Sequence, residues 1–133
     1  MAIELGAHVY IDAQSEDPVQ ILKGMGGARV ILATAPDSAS ITRIFDGLGE
    51  GGEMIIVAGM GGNLEFAPGQ FLAGRRAVRG FTGTDPADLA ATLNFSQLAN
   101  IHPLIETFPL DQAAGAFDRM MSSSVRFRAV LTM

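Results

Sequence analysis

The sequence predicts an α/β fold built on a mostly parallel sheet, and three observations carry that expectation. Strand-like and helix-like segments alternate from end to end. ARVILATA, residues 28 to 35, is apolar almost without a break, as strands buried on both faces of a parallel sheet are. Two helix starts share one form, Asp17-Pro18 and Asp85-Pro86. In each, the Asp oxygen caps free amides and the proline is preset for the first turn.

The elements follow in order. HVYID, residues 8 to 12, reads as a short strand. The helix opened by Asp17-Pro18 carries Ile21, Leu22 and Met25 as its apolar stripe. After the strand 28 to 35, Ile41, Ile44, Phe45 and Leu48 sit at offsets of 0, 3, 4 and 7, which predicts a helix over 38 to 48. EMIIVAG, 53 to 59, is a strand; a loop with Pro68 leads to a short segment around Gln70 to Ala73. AVRGFTG, 77 to 83, is the next strand, and the helix begun at Asp85-Pro86 shows Leu89, Leu93 and Leu98 as its buried side. IETFPL, 105 to 110, is extended, with Pro109 marking an edge or a strand end. Asp111 is expected to cap a helix striped by Ala113, Ala114, Phe117, Met120 and Met121. VRFRAVLTM, 125 to 133, alternates, with Val125, Phe127, Ala129 and Leu131 on one side.

Residues 47 to 52, GLGEGG, match the spacing G-x-G-x-x-G of a dinucleotide cradle. The cradle requires a strand before the glycines and a helix after them. Here the order is reversed, so Gly47, Gly49, Gly51 and Gly52 are expected to turn the chain from a helix into a strand. GMGG, 59 to 62, follows a strand but has Leu64 at the third glycine position.

Composition excludes several classes. A chain of 133 residues is typical of one domain. It is 48% hydrophobic but only 17% charged, below the usual ~25%, which suits doubly buried strands or surface meant for a partner. A net charge of −5 without a basic cluster argues against nucleic acid. No stretch reaches the ~18 apolar residues of a membrane span. MAIELGAHVYID shows no secretory signal, so a cytoplasmic protein is expected. There is no cysteine, and His8 and His102 lie far apart in sequence, which leaves no compact zinc ligand set. No phosphate-binding G-x-x-x-x-G-K-[ST] occurs, and Ser122-Ser123-Ser124 reads as a loop with no histidine nearby.

In open parallel sheets ligands bind beyond the carboxyl ends of the strands. Those ends are Ala33-Thr34-Ala35, Val57-Ala58-Gly59 and Phe81-Thr82-Gly83, nearly all small. Small side chains let a planar ligand reach backbone N–H and C=O groups.

The succession LGAHVYID, EDPVQILKGMGGARVILATA, GEGGEMIIVAG, RRAVRGFTGTDPADL, IETFPLDQAAGAFDRMMSS and VRFRAVLTM resembles the medium-chain dehydrogenase/reductase family, most closely its zinc-type alcohol dehydrogenase branch. The resemblance covers almost the entire chain and falls on the C-terminal, cofactor-domain portion of that family. It implies an incomplete Rossmann-like doubly wound sheet with flanking helices over residues 1 to 133. Residues 105 to 133 resemble the segment that returns to the catalytic domain. The implied activity is hydride transfer between NAD or NADP and an alcohol or aldehyde in a full-length parent. The family's preceding catalytic domain, with its zinc ligands, and its glycine fingerprint find no match here. The resemblance therefore implies a truncated, inactive dehydrogenase without a zinc site of its own.

The same resemblance assigns cofactor contacts. Ala33, Thr34 and Ala35 match the strand end beside the nicotinamide half. Val57, Ala58 and Gly59 match the strand whose backbone meets the nicotinamide. Phe81 and Thr82 match the end that holds the carboxamide. Arg128 matches an arginine reaching the phosphates, a role that suits its forked guanidinium.

Family strand order is 3-2-1-4-5-6, with HVYID as strand 3 and ARVILATA as strand 4. With the two intervening strands unmatched, HVYID is expected to move in beside ARVILATA, or another chain to cover that edge. VRFRAVLTM is to find its partner in IETFPL or in a second molecule. AVRGFTG resembles the strand through which family dimers join, which implies a homodimer or larger oligomer. A second reading is a non-catalytic oligomerising α/β module.

Overall fold

The computed structural model describes residues 1–58, 62–83 and 85–133. It divides into two compact units, Met1–Gly83 and Thr84–Met133.

In the first unit, α1 (Pro18–Gly24) begins as its sequence predicts. Asp17 lies outside the helix in an extended conformation and its side chain accepts from the amides of Val19 and Gln20. β1 (Ala28–Ala33) follows, then α2 (Ser38–Ile44), a 3₁₀ turn (Phe45–Gly47), β2 (Leu48–Ile56), α3 (Pro68–Leu72) and β3 (Ala77–Gly80). The three strands form a parallel sheet in the order β1-β2-β3. Ile31 sits opposite Met54, which sits opposite Val78; Ala33 sits opposite Ile56, which sits opposite Gly80.

That register sorts the side chains. Ile31, Ala33, Met54, Ile56 and Val78 turn to one face and pack with Ile41, Phe45 and Leu48 in a single core. Phe45, Leu48 and Met54 are essentially sealed from solvent. Phe66 and Phe71 close over Phe45, with ring centroids 4.7 and 5.0 Å away, and meet each other edge-on at 5.7 Å. Gln70 fastens that lid: its Oε1 accepts the Ala67 amide at 2.7 Å and its Nε2 donates to Asp46 at 2.8 Å. On the other face, Val30 and Leu32 remain 55% and 58% exposed.

Several expectations need correction. HVYID does not form a strand, because neither side of it carries a strand to complete the hydrogen-bond ladder. The helix expected over 38 to 48 tightens into the 3₁₀ turn at Phe45, and β2 starts at Leu48 rather than Glu53. Gly49, Gly51 and Gly52 therefore lie inside β2 and not in a turn before it. Their reason is close backbone packing. A Cβ on Gly49 would stand 2.9 Å from the Gly26 carbonyl oxygen, and one on Gly52 would stand 2.8 Å from that of Ala28. Gly51 also has φ +66, which a side chain would resist. GLGEGG is a place where two backbones touch, at the register shift between Ala28 and Val30.

The second unit holds α4 (Pro86–Leu98), β4 (Ile105–Pro109), α5 (Ala113–Met121) and β5 (Arg128–Thr132). Asp85 caps α4 through the Ala87 amide at 2.8 Å, as expected. Leu89, Leu93 and Leu98 are not buried, however; no residue of α4 is. β4 and β5 pair in parallel, Ile105 opposite Arg128 and Phe108 opposite Leu131, so VRFRAVLTM does find IETFPL. Asp111 sits in a 3₁₀ turn ahead of α5 and does not cap it; Gln112 holds the N-cap position, without a side-chain bond. Phe127 adopts φ +72 and breaks the alternation that Ala129 and Leu131 keep beside Phe117 and Met120 of α5. Glu106 ties the unit together. It accepts from Arg119 and from the Arg126 amide, each at 2.7 Å, while the Arg119 guanidinium lies 5.6 Å from the Phe108 ring centre.

Truncating Phe45 to Ala should lower unfolding free energy by about 3–5 kcal/mol, since the ring is fully enclosed. Leu93→Ala, on exposed α4, should stay within about 0.5 kcal/mol of the parent chain. Urea denaturation measures both.

Candidate functional site

Because β1, β2 and β3 run in parallel, their carboxyl ends emerge along one border of the sheet. Two hydrogen bonds carry the ladder past the strands. The Val57 amide donates to the Ala33 carbonyl at 3.2 Å, and the Phe81 amide donates to the Ile56 carbonyl at 2.9 Å. Ala33-Thr34-Ala35, Val57-Ala58 and Phe81-Thr82 are thus brought together as three neighbouring strand ends. Ala33 is buried; Thr34, Ala35, Val57, Phe81 and Thr82 are exposed. Gly59 lies outside the described residues. Arg128 is the first residue of β5 in the second unit, exposed and opposite Ile105.

The sequence reading missed the wall beside this border. Thr34 and Ala35 open onto a groove of about 320 Å³ that Ser40, Arg43 and Ile44 of α2 also line, together with Ala13. Arg43 is held there by Asp17, Nη2 to Oδ1 3.2 Å. The one available signal was helical spacing: Ser40, Arg43 and Ile44 recur at offsets of 0, 3 and 4 and so share a face.

Asp37 sets where α2 starts. Its Oδ2 accepts the Ser40 amide at 3.0 Å. The Ser40 side chain and then the Ser40 amide hold its carboxyl below the usual carboxylate range.

The chain has no cysteine. Among the described residues no group of three or more His, Asp or Glu side chains is placed to hold a metal. These residues do not fit a zinc site. Among the same residues no helix is long and apolar enough to cross a membrane.

Residues 1–97 match the family described as zinc-binding dehydrogenase, and the chain belongs to it. It is 41% identical over 132 residues to the alcohol dehydrogenase patD of Penicillium expansum, covering 99% of this chain and 38% of that protein. It is 37% identical over 132 residues to the alcohol dehydrogenase notN of Aspergillus sp. (strain MF297-2), covering 99% of this chain and 39% of that one. The crystal structure of an alcohol dehydrogenase zinc-binding domain protein from Burkholderia ambifaria matches with a TM-score of 0.88 at 26% identity, over 99% of this chain and 38% of that one. The chain therefore spans about 38% of the length of such relatives. The Rossmann-like, mostly parallel architecture expected from the sequence is the one these neighbours share.

A depressed carboxyl pKa in the fold means the charged cap stabilises at pH above the ordinary Asp value and is lost as pH falls through the depressed one. Amide protection in the first turn of α2 should drop on acidification with a midpoint below that of a free Asp. Asp37→Ala should lack that step, as hydrogen exchange across an acid titration will record.

Proposed function

We propose that this chain forms the nicotinamide-side part of an NAD(P)-dependent alcohol dehydrogenase. The observation that carries the reading is the alignment of three small-residue strand ends along one border of a parallel sheet, tied by the Val57–Ala33 and Phe81–Ile56 hydrogen bonds. Membership of a dehydrogenase family and relatives described as alcohol dehydrogenases support it.

Each residue then has a task. Ala33, Thr34 and Ala35 form the wall at the end of β1. Val57 and Ala58 leave room for a flat ring to lie against backbone, and Gly59 follows them in the sequence. Phe81 and Thr82 bring their strand end to a carboxamide, which the Phe81 carbonyl can meet while the Phe81 amide stays on the Ile56 carbonyl. Arg128 offers a bidentate fork to phosphate. When bound, the nicotinamide supplies the carbon that accepts or returns hydride; orientation is the protein's contribution. Zinc, where a longer protein uses it, is held by residues outside this chain. Because the chain spans about 38% of its relatives, turnover is proposed for a protein that contains it and not for the chain alone.

The reading includes a homodimer or larger oligomer joined through sheet edges. β1 and β3 are the outer strands of their sheet, and outer strands present unpaired amides. A non-catalytic oligomerising module is the alternative, and it too has this in its favour.

Titration of the 133-residue chain with NADH and NADPH, followed by nicotinamide fluorescence and calorimetry, separates the two. Binding at roughly millimolar Kd or tighter, weakened about tenfold or more by Ala58→Trp with an unchanged melting curve, supports the cofactor role. Absence of heat and of fluorescence change with either cofactor leaves the oligomerising module.

A further inference from the structure

We propose that residues 63–76 form a strap that opens as one unit while the three-stranded sheet stays folded, and that Gln70 and Arg76 compete for the Asp46 carboxylate to set how often it opens. All of these residues lie in the first unit, and none belongs to the cofactor border.

The strap carries the chain from β2 to β3. Its helix, α3, has no buried residue. Its apolar hold is the pair of rings Phe66 and Phe71, which lie over the fully enclosed Phe45. Its middle is latched by Gln70, whose Nε2 donates to Asp46 Oδ1 at 2.8 Å. At its far end the Gly74 carbonyl accepts the Gly51 amide at 2.6 Å, and Arg75 meets Glu50 at 2.8 Å with both side chains largely in solvent.

That far end is built under strain. The Arg76 amide turns back to the Phe71 carbonyl at 3.0 Å, a helix ending that favours glycine in its left-handed position. Arg75 holds that position instead, at φ +49. The glycine stands one residue earlier, where a Cβ would press on Arg76 Nε at 2.9 Å.

Arg76 adds a second cost. Its side chain is only 17% exposed, and its Nε is sealed from solvent and meets no acceptor among the described residues. A sealed donor without an acceptor favours any state that supplies one. The acceptor is at hand: Arg76 Nη1 stands 3.9 Å from Asp46 Oδ1, the oxygen that Gln70 uses. A guanidinium holds a carboxylate best as a fork of two parallel bonds. A short turn of Arg76 would bring Nε and a terminal nitrogen onto the two oxygens. The Gly74 backbone stands in the way of that turn, so the strap end must release first.

Two states follow. In the closed state Gln70 has the carboxylate and the rings cover Phe45. In the open state Arg76 has it as a fork, Gln70 turns to water and Arg75 leaves the left-handed region. Enclosure of Phe45 keeps the closed state dominant; the fork and the relaxed backbone narrow the difference.

Native-state hydrogen exchange of the 133-residue chain in low urea reads the open population. The Ala73, Arg76 and Gly51 amides, bonded to Gly69, Phe71 and Gly74, should exchange together and about tenfold or more faster than the Phe81 amide of the sheet. Gln70→Met removes the latch and should speed them about fivefold. Arg76→Met and Asp46→Asn should each slow them. The first removes the competitor; the second leaves Gln70 an oxygen and removes the charge that draws the fork. A guanidinium that merely supported the closed strap would speed exchange when lost. In the double variant the second substitution should add nothing to the first, because the pair forms only in the open state. The proposal is overturned if the strap amides exchange with those of the sheet, if Arg76→Met or Asp46→Asn does not slow opening, or if their effects add. Should Arg76→Met fail to fold, Arg76→Gln carries the same expected sign and takes its place in the cycle.

Discussion

The hydrogen bond from the Val57 amide to the Ala33 carbonyl extends a parallel ladder beyond the last strand residues, and with it the ends of β1 and β2 are held side by side. Had the register slipped by one residue, Met54 would have left the core and every side chain of β2 would have changed faces. The Phe45, Leu48 and Met54 cluster prevents that slip, because all three are sealed only when Met54 lies opposite Ile31. Core packing thus fixes the register, the register aligns the strand ends, and the aligned ends make the border at which a planar cofactor is proposed to bind. The aromatic lid of Phe66 and Phe71 belongs to the same chain of cause, since it closes the core from the side opposite the strands' bare face.

What could be read from the residues was local chemistry. Asp17 and Asp85 cap the helices their Asp-Pro pairs announced, because a cap is decided within four residues. The apolar run 28 to 35 gave β1, and the strand ends fell where loops begin. Ala33 through Ala35, Val57, Ala58, Phe81 and Thr82 could be named as a candidate border because parallel strands must end together. Misreadings came where partners decide. HVYID has strand periodicity and is no strand, since a ladder needs a neighbour. Asp111 looked like a cap and lost the position to Gln112, because a 3₁₀ turn precedes the helix. Leu89, Leu93 and Leu98 have a buried pattern without burial. Spacing puts Ser40 and Arg43 on one helix face with Ile44, but it does not say what that face meets, so they went unread as groove residues.

The glycines of GLGEGG show how the same letters serve different physics. A phosphate cradle uses glycine so that a ligand can approach the backbone. Here Gly49 and Gly52 let the carbonyls of Gly26 and Ala28 approach instead. That contact allows the chain to pass from α1 into β1 alongside the start of β2, and it costs the ladder one irregular step between Ala28 and Val30. Spacing matched, and order along the chain did not; the order was the better guide because it encodes which way a helix terminus points.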